Sequence, residues 1–276
     1  MNSFSFALLL FPTLVLLFIY WSLRHAWWRA NVNIIYPRIL MYHMISPHLP
    51  KSKSKFNRLR VPPSEFEKQL RWLKKNGWIS MTMSELAKCD VVPPKTVVLT
   101  FDDGYADNYA NAFPLLKKYK MKATIYLVVN RFHQTWASDK DTKQSSQELN
   151  AEPMLSHEMV QEMLASGLIE FGSHTLNHVN LPTLSYEQKQ TEIAHSKIML
   201  EEQYAILCDS FAYPFGFFDQ DDVSLVAQSG YTNAVTTQNG YEAWENANKF
   251  QLKRVMISGR QGMIDFMLKI TKGKNR

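Results

Sequence analysis

From residue 38 onward, apolar runs of strand length alternate with segments whose apolar positions recur at helical spacing, and no internal repeat interrupts them. The pattern predicts strands over 39–43, 96–101, 123–129, 168–172, 208–213, 232–236 and 252–257. Between them it predicts helices over 64–76, 107–119, 156–166, 185–203 and 219–229, with Ser156 as an N-cap and Gly77, Gly167 and Gly230 as stops. About seven strands, each followed by a helix, make this an α/β chain wound as a barrel or barrel-like sheet. Two polar stretches break the rhythm: a basic loop over 51–60, and a segment over 134–152 that reads as a surface insertion or lid.

The first residues have a different texture. Residues 1–23 carry no charged side chain, and 4–23 are apolar apart from Ser5, Pro12, Thr13 and Ser22. At about 1.5 Å per helical residue such a stretch is long enough to cross a bilayer. Trp21, Trp27 and Trp28, with Arg24 and Arg29, resemble an interfacial aromatic belt with basic anchors. No small-x-small cleavage signal precedes the tryptophans, so the expectation is an uncleaved transmembrane helix over 1–30 that anchors one domain over 31–276, the alternative being a cleaved signal peptide. Arg24 and Arg29, by the positive-inside rule, would keep that domain cytoplasmic. The chemistry argues for the other side.

Charge narrows the function classes. The chain holds 31 basic and 25 acidic side chains for a net +6, yet the first acidic residue is Glu65 and the last four basic ones lie in 269–276. Residues 61–268 therefore carry an acidic balance. A nucleic-acid enzyme would gather its basic residues around the site, and here they sit at the chain ends, so no nucleic-acid partner is expected. Cys89 and Cys208 form no CxxC pair, which excludes a disulfide scaffold and a cysteine-ligated zinc; two buried thiols are expected, with one disulfide between them as the alternative.

Two motifs carry chemistry, both at strand ends. In Thr100-Phe101-Asp102-Asp103-Gly104-Tyr105, adjacent carboxylates cost electrostatic energy unless a cation or shared proton compensates them. Gly104 permits a sharp turn that could bring both to one mouth; the alternative is a turn with a helix cap. In Ser173-His174-Thr175-Leu176-Asn177-His178, histidines at i and i+4 on one helical turn reach a common metal. Two histidines and one aspartate leave coordination open for water, the pattern of a catalytic metal.

Together these motifs resemble the polysaccharide deacetylase family, of the NodB-homology or carbohydrate esterase type. The resemblance implies a distorted (β/α) barrel in which Asp102 is the general base and Asp103, His174 and His178 hold a divalent metal, usually zinc. Residues 40–43, 66–70 and 211–216 are similar to the branch that deacetylates poly-N-acetylglucosamine of biofilm exopolysaccharide, and the resemblance spans 38–257. Ala212 stands where the family's third motif has arginine, and the late Leu-x-His motif is absent.

Those departures leave two roles to fill. His43, ending the first strand on the same rim, is expected to act as general acid, or else to be hydrogen-bonded in the core. Arg254, on the last strand, is expected to orient Asp102 by an ion pair. Tyr213, Pro214 and Phe215 are expected to wall the cleft, with the Phe215 N–H aimed at the oxyanion. The expected reaction is metal-dependent hydrolysis of an N-acetylglucosamine polymer, most naturally the β-1,6-linked one, releasing acetate outside the bacterial membrane. The alternatives are deacetylation of another acetylated glycan, a glycoside hydrolase using Asp102 with a second carboxylate, and a membrane-tethered sugar-binding module.

Overall fold

Strands covered on both faces cannot alternate polar and apolar residues. Every residue of Arg38–Tyr42, Thr96–Phe101 and Ala123–Leu127 is buried in this way. The computed structural model describes residues 3–25, 27–133 and 147–273; the side chains of 3–10, 25, 133 and 147 lie outside the described residues. In chain order the elements are α1 (Ser3–His25), β1 (Arg38–Tyr42), α2 (Pro63–Lys75), β2 (Ile79–Met81), α3 (Met83–Ala87), β3 (Thr96–Phe101), α4 (Phe113–Tyr119), β4 (Ala123–Leu127), α5 (Gln147–Asn150), α6 (His157–Ala165), β5 (Ile169–Ser173), α7 (Tyr186–Gln190), α8 (Ser196–Tyr204), β6 (Ser210–Ala212), α9 (Gln220–Gln228), β7 (Asn233–Asn239), β8 (Leu252–Met256) and α10 (Met263–Lys272).

The strands are parallel and run in the order β1-β8-β7-β6-β5-β4-β3, and β1 pairs with β3 to close a seven-stranded barrel. β2 is an eighth, three-residue strand that pairs with the first half of β3 on the side where β4 takes the second half. The barrel is distorted: β5 and β6 share one residue pair, Ser173 with Phe211, and the β7–β8 register shifts between Val235 and Asn239. Alternate residues face opposite ways, as strand geometry requires. Leu40, Tyr42, Leu99, Phe101, Ile125 and Phe171 belong to the main core with the α2, α4 and α6 side chains Phe66, Leu116 and Val160. Ile39, Val98, Tyr126, Ala212 and Leu252 form a second cluster of opposite register.

Arg38 shows how a charge survives beside the core. Its guanidinium donates to the carbonyls of Val32, Asn33 and Ile270 and lies between the rings of Trp78 and Tyr241. Burial lowers its pKa to about 10. The contacts tie residues 32–36 and α10 to the start of β1.

All seven predicted strands are present with ends shifted by a few residues, and β2, α3, α5 and α10 are additions. The predicted helices 107–119 and 185–203 are each interrupted by a π-helical turn, Asn108–Ala112 and Thr191–His195. Of the predicted insertion, 134–146 lie outside the described residues. The basic loop is not merely solvated: buried Arg60 pairs with Glu152 at 2.7 Å and Glu148 at 3.3 Å, which fastens it to α5. Cys208 is buried and Cys89 half-buried, and both are free thiols.

The expected transmembrane helix is not reproduced. Among the described residues, no helix is long and apolar enough to cross a membrane. The expected span includes residues 4–10, whose side chains lie outside the described residues.

Candidate active site

The parallel barrel brings the C-terminal ends of its strands to one rim, where loops collect the polar groups. Asp102 follows β3 directly and continues its ladder, with its N–H donating to the Tyr42 carbonyl at 3.0 Å. Neighbouring strand residues would point apart, so Asp103 needs a change of hand. The backbone supplies it, with φ of +78° at Asp103 and +85° at Gly104. A Cβ on Gly104 would lie 2.7 Å from Leu127 Cδ2 and force that side chain to shift, so a side chain there is disfavoured by crowding as well as by the positive φ.

The second motif follows β5. The expectation of two histidines on a helical turn is corrected: residues 174–178 form a tight loop with Thr175 at φ +69° and His178 at φ +51°. Glu192, on the π-helical turn before α8, pins this loop by accepting from the Leu176 and Asn177 N–H groups and from Asn177 Nδ2. The His178 N–H donates to Thr175 Oγ1 at 3.0 Å. Asp103, Thr175, His178 and Phe215 are four of the seven non-glycine residues with positive φ among those described. Backbone strain is therefore concentrated at this rim.

One ligand atom from each of Asp103, His174 and His178 lies within 4.8 Å of the others, and all three residues are buried. Asp103 Oδ1 is 3.4 Å from His174 Nε2 and 3.5 Å from His178 Nε2. His174 Nδ1 lies 2.7 Å from the Ala212 carbonyl, which only accepts, so Nδ1 carries a proton and Nε2 faces the cluster, where a neutral ring offers a lone pair to a cation and a protonated ring an N–H to Asp103. This donor set suits a divalent cation with open coordination. Burial pushes the Asp103 carboxyl up, but its hydrogen bond to His174 and the charges of His43, His178 and His174 hold it well below the usual carboxylate range.

Asp102 stands apart from that set. Buried Arg254 donates from Nη1 to Asp102 Oδ1 at 2.6 Å and from Nη2 to Oδ2 at 2.7 Å. The fork is itself fixed, with Nε on the Thr236 carbonyl at 2.9 Å and Nη1 on Thr100 Oγ1 at 3.0 Å. Burial raises the Asp102 pKa, and the Arg254 charge and hydrogen bonds more than offset it, so the carboxylate stays ionised below its ordinary value. His43, half-buried just past β1, acts electrostatically on both aspartates.

The segment after β6 divides. Tyr213 lies in the core, its hydroxyl donating to the Phe250 carbonyl and its ring stacked 4.6 Å from Phe218, so it backs the rim and does not face the cleft. Pro214 is buried, whereas the half-buried Phe215 ring packs 4.6 Å from His178 at φ +58°. Sequence reasoning missed the supporting residues. Tyr105 is buried and hydrogen-bonds Asp103, and burial with the charges of Asp103 and Asp107 raises its hydroxyl pKa well above normal. For Tyr105 and Thr100 the available signal was their place in the aspartate motif; Thr236 and Glu192 gave none.

A sequence model of the family described as "Polysaccharide deacetylase" matches residues 90–234. YxkH, a polysaccharide deacetylase homologue of Bacillus subtilis (strain 168), is 34% identical over 224 residues, covering 80% of this chain and 71% of its own. The poly-beta-1,6-N-acetyl-D-glucosamine N-deacetylase of Staphylococcus epidermidis is 28% identical over 209 residues, covering 72% and 68%. Among solved structures, the Streptococcus pyogenes deacetylase PplD in complex with acetate superposes with a TM-score of 0.71 at 26% identity, covering 86% of this chain and 98% of that one.

Proposed function

This chain belongs to the polysaccharide deacetylase family, hydrolases of carbon–nitrogen bonds, and we propose that its substrate is a polymer of N-acetylglucosamine, specifically the β-1,6-linked one. The observation that carries the reading is the meeting at one barrel mouth of a three-donor set and a separate carboxylate held by a buried arginine. Similarity to the staphylococcal enzyme supports the choice of polymer.

Asp103, His174 and His178 would hold the cation, for which zinc is our assignment. When bound, it supplies Lewis-acid polarisation of an acetamide carbonyl and a lowered pKa for water. Asp102, kept ionised, takes the proton of the attacking water. Arg254 occupies both carboxylate oxygens and so fixes the direction of the remaining lone pairs. His43 returns a proton to the departing sugar amine, leaving acetate and free glucosamine. The Phe215 N–H is our assigned oxyanion donor, with Pro214 and Phe215 as the cleft wall.

We further propose that α1 tethers the chain to the bacterial membrane with the barrel on the outer side, where such a polymer lies. The exposed side chains Phe11, Leu16, Phe18 and Leu23 support a tether.

Acetate release from partly N-acetylated glucosamine oligomers, with and without chelator, tests the reading. Chelator-sensitive acetate is expected. New reducing ends without acetate would make the protein a glycoside hydrolase, and binding without turnover a glycan-binding module.

A further inference from the structure

The segment that carries His43 is gripped by the residues that follow the aspartate motif. Asn108, which is fully buried, donates from Nδ2 to the His43 carbonyl at 2.8 Å. One turn later Asn111 donates from Nδ2 to the Ile45 carbonyl, also at 2.8 Å. Asn108 Nδ2 also donates to Asp107 Oδ1 at 2.9 Å, which braces the turn from which both asparagines reach. Two side chains from one short stretch thus hold the backbone of residues 43–45. Residues 108–112 are also where the helix takes a π turn, a feature that recurs at functional sites.

The grip is not a stability device alone. Asp107 Oδ2 and Asn108 Oδ1 are buried without a hydrogen-bond partner among the described residues. Groups left in that state are destabilising and call for an explanation. The two amides satisfy the His43 and Ile45 carbonyls and in doing so fix the backbone on which His43 stands.

We propose that Asn108 and Asn111 are positioning residues for His43, fixing the backbone from which its imidazole reaches the departing amine. This rests on the reading of His43 as proton donor. A misplacement of about 1 Å in a reacting group costs up to roughly 10²-fold in rate, which sets the size of the effect.

The test is a double-variant cycle on the full-length, metal-loaded chain. Asn111→Ala is expected to lower kcat about 10-fold or more, with KM and metal content within about twofold. In a His43→Ala background the same change is expected to do almost nothing, because the group being positioned is gone. Independently of turnover, amide exchange over residues 43–46 should quicken at least about 10-fold in Asn111→Ala. Asn111→Asp keeps the shape but removes the donor, and it should match the alanine variant if the latter folds poorly. Losses that multiply in the two backgrounds, or a folded Asn111→Ala enzyme with full kcat, would overturn the proposal. Full activity of His43→Ala by itself would remove the proton-donor reading, and the positioning role with it.

Discussion

Arg254→Met tests the link between fold and chemistry most directly. The substitution keeps much of the side-chain volume and deletes the guanidinium. Arg254 is 1% exposed and Asp102 3%, so neither group has water to fall back on. Two charge-assisted bonds at 2.6 and 2.7 Å are lost, and the Thr236 carbonyl and Thr100 hydroxyl each lose a donor. Charge-assisted bonds contribute about 1.5–3 kcal/mol each, and stripping one partner from a buried pair costs about 3–5 kcal/mol. The expected loss is therefore about 3–5 kcal/mol in denaturant unfolding of the full-length chain at fixed metal concentration, with an unchanged m-value. Adding Asp102→Asn should return about half, because the uncompensated charge is gone. The pH dependence has a definite sign. Arg254 holds the folded Asp102 pKa below its unfolded value of 3.8, so the pair's contribution is full above about pH 4 and fades as pH falls through the folded pKa. The gap between wild type and Arg254→Met should accordingly close in acid. A loss under about 1 kcal/mol, or no relief from Asp102→Asn, would refute the account of Asp102 as a charge held in place by Arg254.

His174→Ala should bind metal at least about 10-fold more weakly by elemental analysis after dialysis while the far-UV spectrum is retained, since one of three donors is lost at a rim position. Asp107 is pushed up to about 7 by burial, so folding disfavours its ionised form. Wild-type stability should fall as pH rises from about 4 to 7 and then level off, and Asp107→Asn should flatten that stretch of the stability–pH curve. Gly216→Ala would place a Cβ 1.9 Å from Thr237 Oγ1 at a residue with φ +73°, displacing Phe215 beside His178. Turnover should drop about 10-fold or more with little change in metal content, as read by acetate release alongside elemental analysis.

Much of the architecture was legible in the sequence because parallel strands buried on both faces leave continuous apolar runs, as in Thr96–Phe101. The elements that escaped notice had weaker signals. β2 is three residues long and half exposed, and the capping box of Thr82 with Glu85 that starts α3 precedes only five helical residues. The π turns at Asn108–Ala112 and Thr191–His195 are single turns, too short for their shift in apolar phase to register.

The same division runs through the site. Residue types and local spacing determined which groups gather there: an aspartate pair before a glycine, and two histidines four apart, each at the end of an apolar run. Spacing suggested the wrong local geometry for the histidines, since the left-handed residues Thr175 and His178 and the distant Glu192 form a loop where a helical turn was expected. That Arg254 meets Asp102 and that His43 shares their rim was expected only by way of the barrel the resemblance implied, and the closed barrel decided the two-bond fork that joins them across 152 residues. Those contacts depend on strand order, on the β1–β3 pairing that completes the ring, and on which face each residue takes. Local sequence carries the period of a strand but not its neighbour, because pairing is chosen by the free energy of burying all the strands and helices at once.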